Sequence, residues 1–176
     1  MKKVLIDNNG FPYTWVDTST DDTVVYENMV DMPDDISNKI CNEGIKHYYI
    51  DGEWSRGPIE GIIQEKLSVL ATKRWTMEVG GCVLDGVLIS TSRESQSMIA
   101  SAYNTLKDNI LAEIDFKSDS GWITIDLAMA TGIAQTVATH VQQCFTTEKT
   151  HSQAISLLGT AEEVDAYDIE TGWPTY

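Results

Sequence analysis

The sequence predicts an α+β fold, in which a small β-rich N-terminal lobe precedes a domain ordered helix, hairpin, helix, hairpin, helix. Glycine-containing turn signals separate short apolar strands, and apolar residues recur at helical spacing over longer stretches. Capping residues stand just before several of those stretches. We therefore predict a β-rich lobe over residues 1–57 (a possible attachment module), a helix–hairpin domain over 58–146 and a C-terminal extension over 147–176.

The N-terminal lobe is predicted from its turns. Asn8-Asn9-Gly10 separates KVLID from FPYTWVD, and an Asn-Gly pair supplies the positive φ angles that a tight hairpin needs. TVVYENMVDM alternates in part and is compatible with a third strand. Pro33 and the two aspartates after it favour a short helix, which Gly44 is placed to end. Asp51-Gly52 marks a second hairpin.

The first half of the helix–hairpin domain follows Gly57-Pro58. Apolar residues at helical spacing predict a helix of about five turns: Ile59, Ile62, Ile63, Leu67, Leu70 and Trp75. CVLDGVLIS is a hairpin signal with Asp85-Gly86 at its tip. Thr91 and Glu94 have the spacing of a capping box, which starts the next helix.

The second half repeats this order. Residues 112–126 predict another hairpin, with its turn from Ser118 to Gly121 and Trp122 in the return strand. Asp126 is placed to cap the last long helix. That helix has a narrow seam of mostly small residues: Leu127, Ala130, Ala134, Val137, Val141 and Cys144. A capping box from Thr160 to Glu163 starts a short final element.

Composition excludes several classes of protein. With 42% apolar and 22% charged residues, the 176-residue chain suits one domain with an accessory lobe. Its net charge of −15 is diffuse and leaves no basic patch for nucleic-acid phosphates. No apolar run reaches the length of a membrane span, so synthesis in the cytoplasm without membrane insertion is predicted. Three widely spaced cysteines argue against a disulfide framework or a zinc finger.

Candidate sites have simpler structural explanations. His140 and Cys144 share a helix face with His151 two turns on, but Cys144 already belongs to the apolar seam. The Ser and Thr residues near 91–97 are explained as caps, and paired acids such as Asp34-Asp35 lie at helix starts or in loops. DNNG and SDSG resemble calcium loops only superficially. We predict no catalytic residue, no cofactor and no metal site.

Tryptophans are the best indication of an interface, since the chain has five of them and seven tyrosines. Trp75 and Trp122 lie where helix and hairpin should pack, which favours the core. Trp15 and Trp54 belong to the β-rich lobe, and Trp173 to an exposed terminus. A tryptophan outside the core is costly unless it docks onto a partner. The candidate interface residues are Trp15, Trp54, Trp173 and Tyr176.

Two strings resemble a known family. The first joins Arg74-Trp75 to the Gly80–Gly86 hairpin and to ISTSRESQ, and the second runs from GWITID into an alanine-rich helix ending HVQQCF. Over about residues 70–146 the chain resembles a domain of unknown function found in bacteriophage tail and tail-fibre (assembly) proteins. The resemblance brings no catalytic residues. It implies that the gene for this chain lies among the genes for tail-fibre, baseplate and fibre-assembly proteins of tailed phages.

The expected role is therefore that of a non-enzymatic structural protein of a phage tail. It would be a virion component that joins other tail, baseplate or fibre proteins through protein–protein interfaces during virus assembly, with a homo-oligomer as a possible form. The alternative is a tail-fibre assembly chaperone that is not retained in the virion. A small hydrolase is a third class, for which the sequence nominates no catalytic residue.

Overall fold

The computed structural model describes residues 2–16, 28–43, 45–118 and 121–175. Over these residues it is a mixed α+β protein with five helices and small antiparallel sheets, which confirms the predicted class. It divides into two compact units, residues 1–65 with 159–165 and residues 66–158 with 166–176. The predicted division of the chain into residues 1–57, 58–146 and 147–176 stays a prediction.

The first unit begins with a three-stranded antiparallel sheet in the order β2-β1-β3. Its strands are β1 (Lys2–Ile6), β2 (Pro12–Val16) and β3 (Met29–Met32). The predicted hairpin turn is present, and the Asp7 carboxylate closes it by accepting hydrogen bonds from the amides of Asn9 and Phe11. Gly10 has a φ of +79°, and a Cβ there would lie 2.2 Å from the carbonyl oxygen of Tyr49. Only glycine fits this position.

Three further elements complete the first part of this unit: α1 (Asp34–Asn42), β4 (Tyr48–Ile50) and β5 (Glu53–Ser55). Helix α1 starts directly after Pro33, as predicted, and β4 and β5 form the predicted hairpin around Asp51-Gly52. Val4, Met32 and Ile36 form the buried core of the sheet and helix. Gly44, the predicted helix stop, lies outside the described residues.

Seven elements follow along the chain, and apart from the start of α2 they lie in the second unit. They are α2 (Ile59–Val79), β6 (Cys82–Leu84), β7 (Val87–Ile89), α3 (Arg93–Lys107), β8 (Ile114–Ser118), β9 (Gly121–Ile125) and α4 (Leu127–Ile155). Helix α2 begins in the first unit, and the short helix α5 (Ala161–Ala166) lies almost wholly there. Strands β6 and β7 pair antiparallel around Asp85-Gly86, and both turn residues have positive φ. Strands β8 and β9 also pair antiparallel, but the middle of their turn lies outside the described residues.

Two caps agree with the sequence. The Asp126 carboxylate accepts from the amide of Met129 at 2.9 Å and caps α4. At α5 the capping box is complete: Glu163 accepts from the amides of Gly159 and Thr160, and Thr160 Oγ1 accepts from the amide of Glu163. These amide contacts lower the pKa of the Glu163 carboxyl group.

The predicted capping box of Thr91 and Glu94 is wrong. Ser92 caps α3, and its hydroxyl oxygen accepts from the amide of Ser95 at 3.1 Å. Thr91 is instead fully buried, where its hydroxyl accepts from the amide of Gly81 and donates to the carbonyl of Glu78. Thr91 therefore ties the end of α2 to the start of α3. Its neighbour performs the capping because the Thr91 oxygen is already engaged.

Replacing the Asp126 cap with alanine should destabilise the protein by about 1 kcal/mol, because the amide of Met129 loses its partner. Chemical denaturation of the variant beside Asp108→Ala checks this, since the side chain of Asp108 caps no helix start. Equal losses in both variants would contradict the assignment.

The core of the second unit is built on one face of α4. Four residues at intervals of seven are buried along it, namely Ala130, Val137, Cys144 and His151. Ala134 and Val141 of the predicted seam pack beside them, whereas Leu127 is exposed. The hydrophobic pattern fades after residue 144 because the partly buried Glu148 and the buried His151 are polar, and the buried Ile155 then resumes it. The helix itself continues to Ile155.

Candidate protein interface

An apolar cleft opens in the second unit where four elements meet. Hairpin β6–β7, helix α3, hairpin β8–β9 and the first turns of α4 surround a cavity of about 160 Å³. Its wall is formed almost wholly by apolar side chains: Leu88, Ile89, Met98, Ile99, Ala102, Phe116, Ile123, Ile125, Ala130 and Ile133. We call this feature the apolar cleft. Concave, mostly apolar sites of this kind are where proteins receive ligands or partner side chains.

The rim of the apolar cleft is exposed. Leu88 on β7 is 62% exposed, Met98 on α3 45% and Ile123 on β9 38%. The floor is buried, since Ile99, Ile125 and Ala130 are each under 10% exposed. Isolated exposed apolar residues are ordinary on protein surfaces, but three that converge on one concavity make the apolar cleft the candidate interface of this unit.

Strand alternation explains how the sequence builds this cleft. In hairpin β8–β9 the register pairs Phe116 with Ile123, so these two side chains share the face that lines the cleft. The next pair, Lys117 with Trp122, belongs to the opposite face. Trp122 and Ile123 are neighbours in a paired strand, so their side chains leave it on opposite faces. The expectation that Trp122 packs in the core is therefore wrong, and Trp122 is 73% exposed.

Trp75 is likewise on the surface, at 44% exposure, and its predicted place in the core is wrong. The buried side of α2 is marked by Ile62, Leu70 and Glu78. Trp75 follows Leu70 by five residues, which rotates it about 140° around the helix. A cation lies over each of these exposed rings. Arg93 Cζ is 5.2 Å from the centroid of the Trp75 ring, and Lys117 Nζ is 5.9 Å from the centroid of the Trp122 ring.

Two of the tryptophans predicted for the interface, Trp54 and Trp173, make contacts within the protein. Trp54 packs against the first unit's core, and its indole N–H donates to the carbonyl of Asp31 at 2.9 Å. Trp173 is partly buried, stacks on His151 and donates to the carbonyl of Ile169. The Trp15 side chain and Tyr176 lie outside the described part of the chain. The interface roles of all four stay predictions.

A buried charge cluster lies beside these surface features. Glu78 is fully buried at the end of α2, and its carboxylate pairs with Arg74 and Arg93. Gln96 of α3 adds a longer contact of 3.4 Å, and Arg74 also pairs with Glu148 of α4. The Glu78 carboxylate thus links α2 to α3, and Arg74 extends the cluster to α4, by charge-assisted hydrogen bonds. Sequence analysis missed it, because nothing in the pattern separates Glu78 from a solvated acid.

The histidines of α4 serve structural contacts. His140 Nε2 lies 3.0 Å from the carbonyl oxygen of Met77 and 3.8 Å from Cys144 Sγ. Both ring nitrogens of His151 are used, by the Tyr167 hydroxyl and the carbonyl of Thr171. Within the described ranges, no three His, Cys, Asp or Glu side chains are grouped to hold a metal ion. The predicted lack of a metal site nonetheless stays a prediction.

The three cysteines should differ sharply in reactivity. Cys41 is exposed, whereas Cys82 and Cys144 are buried. Burial raises the pKa of both buried thiols, that of Cys144 to about 11, so little thiolate forms at pH 8. A colorimetric disulfide reagent at pH 8 should label one thiol rapidly in the native protein and all three in denaturant. Rapid native labelling of two or more would contradict this burial.

None of the helices in the described ranges is long and apolar enough to cross a bilayer.

The comparisons with known proteins found one match, which is to a family model. No curated protein and no solved structure matches the chain. A family model described as Domain of unknown function (DUF4376) matches residues 62–171, which is more than half of the sequence. The chain belongs to this family of unknown function.

Proposed function

We propose that this protein is a non-enzymatic structural component of a bacteriophage tail, an adaptor that joins other tail proteins at the baseplate or the fibre junction. The observation that carries the interface part of the proposal is the apolar cleft, whose floor is buried and apolar and whose rim exposes Leu88, Met98 and Ile123. The tail assignment rests on the resemblance to a family found in phage tail proteins, which the motifs around Arg74-Trp75 and Gly121–Asp126 carry.

The arrangement of helices and hairpins supports a role in which the protein presents the apolar cleft to a partner. We propose that α2, hairpin β6–β7, α3, hairpin β8–β9 and α4 act together as a helix–hairpin domain that displays the apolar cleft. The supporting contacts are internal to the second unit: the ion pairs of Glu78 and Arg74 together link three helices, and Thr91 joins the end of α2 to the start of α3. Fixed walls lower the entropic cost of binding a partner.

The polar residues also support an interface rather than a reaction. Glu78 is buried among arginines, the hydroxyls of Thr91 and Ser92 serve structure, and His151 uses both ring nitrogens. General acid–base and nucleophilic catalysis need such groups free to reach a substrate. We therefore place the function in surface contacts.

Mass spectrometry of purified particles tests the proposal, with virions taken from the phage that we propose to encode this chain. We expect peptides from the chain at a fixed ratio to known tail subunits. If the protein acts instead as a fibre-assembly chaperone, it will be found with the fibre protein in lysates and be missing from finished particles. That outcome would reject the adaptor role and favour the alternative.

A further inference from the structure

The size of the apolar cleft limits what can enter it. A cavity of about 150 Å³ lined by aliphatic side chains is known to stay dry and to accept benzene. The apolar cleft has about 160 Å³ and a floor of Ile99, Ile125 and Ala130. It therefore has room for one phenyl-sized group. Anything attached to that group must rest on the rim formed by Leu88, Met98 and Ile123.

The serine hydroxyls in the wall of the apolar cleft do not need a hydrogen-bond partner from the bound side chain. Ser90 Oγ and Ser95 Oγ lie 2.8 Å apart and hydrogen-bond each other. Ser95 Oγ also accepts from the hydroxyl of Ser92 at 2.8 Å. Because these groups are already satisfied, an apolar side chain can displace water from the cleft without leaving a hydroxyl unpaired.

Charge distinguishes between possible partners. The segment that forms the cleft, residues 82–133, has seven acidic and three basic residues, a balance of −4. All three cations lie over aromatic rings: Arg93 over Trp75, Lys107 over Tyr103 and Lys117 over Trp122. Lys117 contributes to the wall, but its ammonium group lies over Trp122, the pair that faces away from the cleft. A second copy of this chain, at −15, would be repelled, whereas a basic partner is attracted.

We propose that the apolar cleft is a socket for one large apolar side chain carried by a basic segment of a partner protein. This inference rests on the proposed interface function and names the chemistry of the partner. The apolar side chain provides the affinity by filling the socket, and the flanking cations provide the selectivity and speed of association.

Three blocked tripeptides serve as probes: acetyl-Lys-Phe-Lys-amide, acetyl-Lys-Ala-Lys-amide and acetyl-Glu-Phe-Glu-amide. Methyl NMR spectra should show saturable shifts of Met98, Ile99 and Ile133 with the first peptide and no shifts with the second. The third should bind about tenfold more weakly at about 20 mM salt, a difference that should largely vanish at about 0.5 M salt because charges are then screened. Equal shifts with the phenylalanine and alanine peptides, or none with any peptide, would overturn the proposal.

Variants on α3 provide the matched control. Ala102 lines the cleft, whereas Ala100 on the same helix is exposed and does not. Ala102→Leu should weaken binding of the Lys-Phe-Lys peptide about tenfold, and Ala100→Leu should not change it. If Ala102→Leu does not fold, the exposed rim variant Met98→Gln takes its place, with a smaller loss expected. Undiminished binding in the folded cleft variant would refute the socket.

The two proposals fail separately. If the peptides do not bind but the chain is present in virions, the adaptor role stands and the socket is wrong. If the peptides bind as expected but the chain is absent from virions, the socket stands and the adaptor role is wrong.

Discussion

Replacing Glu78 with alanine should destabilise the protein by about 3 to 5 kcal/mol, the usual cost of removing one partner from a buried ion pair. Glu78 has no solvent exposure and pairs with both Arg74 and Arg93. Without it, Arg74 stays largely buried with Glu148 as its remaining carboxylate, and the ion pair from α2 to Arg93 of α3 is lost. Urea denaturation followed by circular dichroism measures the loss.

Glu94→Ala is the matched control, because Glu94 is an exposed glutamate in the first turn of α3. Its removal should change stability by no more than about 0.5 kcal/mol, as is usual for a surface position. A loss below about 1 kcal/mol for Glu78→Ala would show that the buried cluster does not hold the helices together.

Truncating Leu106 to alanine should cost about 2 to 5 kcal/mol, since the change leaves a cavity in a packed core. Leu106 is 2% exposed at the end of α3 and packs with Ile125 and Ala130. These two residues also form part of the floor of the apolar cleft. The variant should therefore lose affinity for the Lys-Phe-Lys peptide as well as stability, because a relaxed floor no longer matches the apolar group.

Leu111→Ala supplies the comparison for this experiment. Leu111 is 52% exposed in the loop after α3, so its truncation should cost well under 1 kcal/mol and leave peptide binding unchanged. Similar losses of stability in the two leucine variants would contradict the core assigned to Leu106.

Local chemistry made the turns and several helix ends predictable. Asn-Gly and Asp-Gly pairs located the hairpins at Gly10, Gly52 and Gly86, where positive φ angles are required. The caps formed by Asp126 and by the Thr160–Glu163 box could be predicted because their hydrogen bonds join residues close together in the sequence. These features depend on a few adjacent side chains and on nothing distant in the chain.

Features set by distant contacts could not be read in this way. Thr91 carries the sequence signal of a cap, but hydrogen bonds to Glu78 and Gly81 divert its hydroxyl and leave the cap to Ser92. The position of Trp122 where helix and hairpin should pack predicts a core residue, whereas strand register puts it outside. Residue type alone does not decide burial when register and helix rotation are unknown.

The apolar cleft was the least predictable feature. Its walls come from four elements between Leu88 and Ile133, and each contributes apolar residues that look like ordinary core in the sequence. Only the packing of those elements shows that Leu88, Met98 and Ile123 remain partly exposed. The tryptophans predicted for the interface do not line this cleft in the described part of the chain, and their own interface role stays a prediction.

The central claim is that the apolar cleft joins this protein to the tail. It is tested most directly by measuring how much of each of two leucine variants enters purified virions. Leu88→Glu places a charge on the cleft rim, and Leu157→Glu places one on an 86% exposed leucine that does not line the cleft. Both should fold, because both sites are on the surface. We expect at least a tenfold loss of the Leu88 variant from particles and wild-type amounts of the Leu157 variant. Equal incorporation of the two would contradict the account.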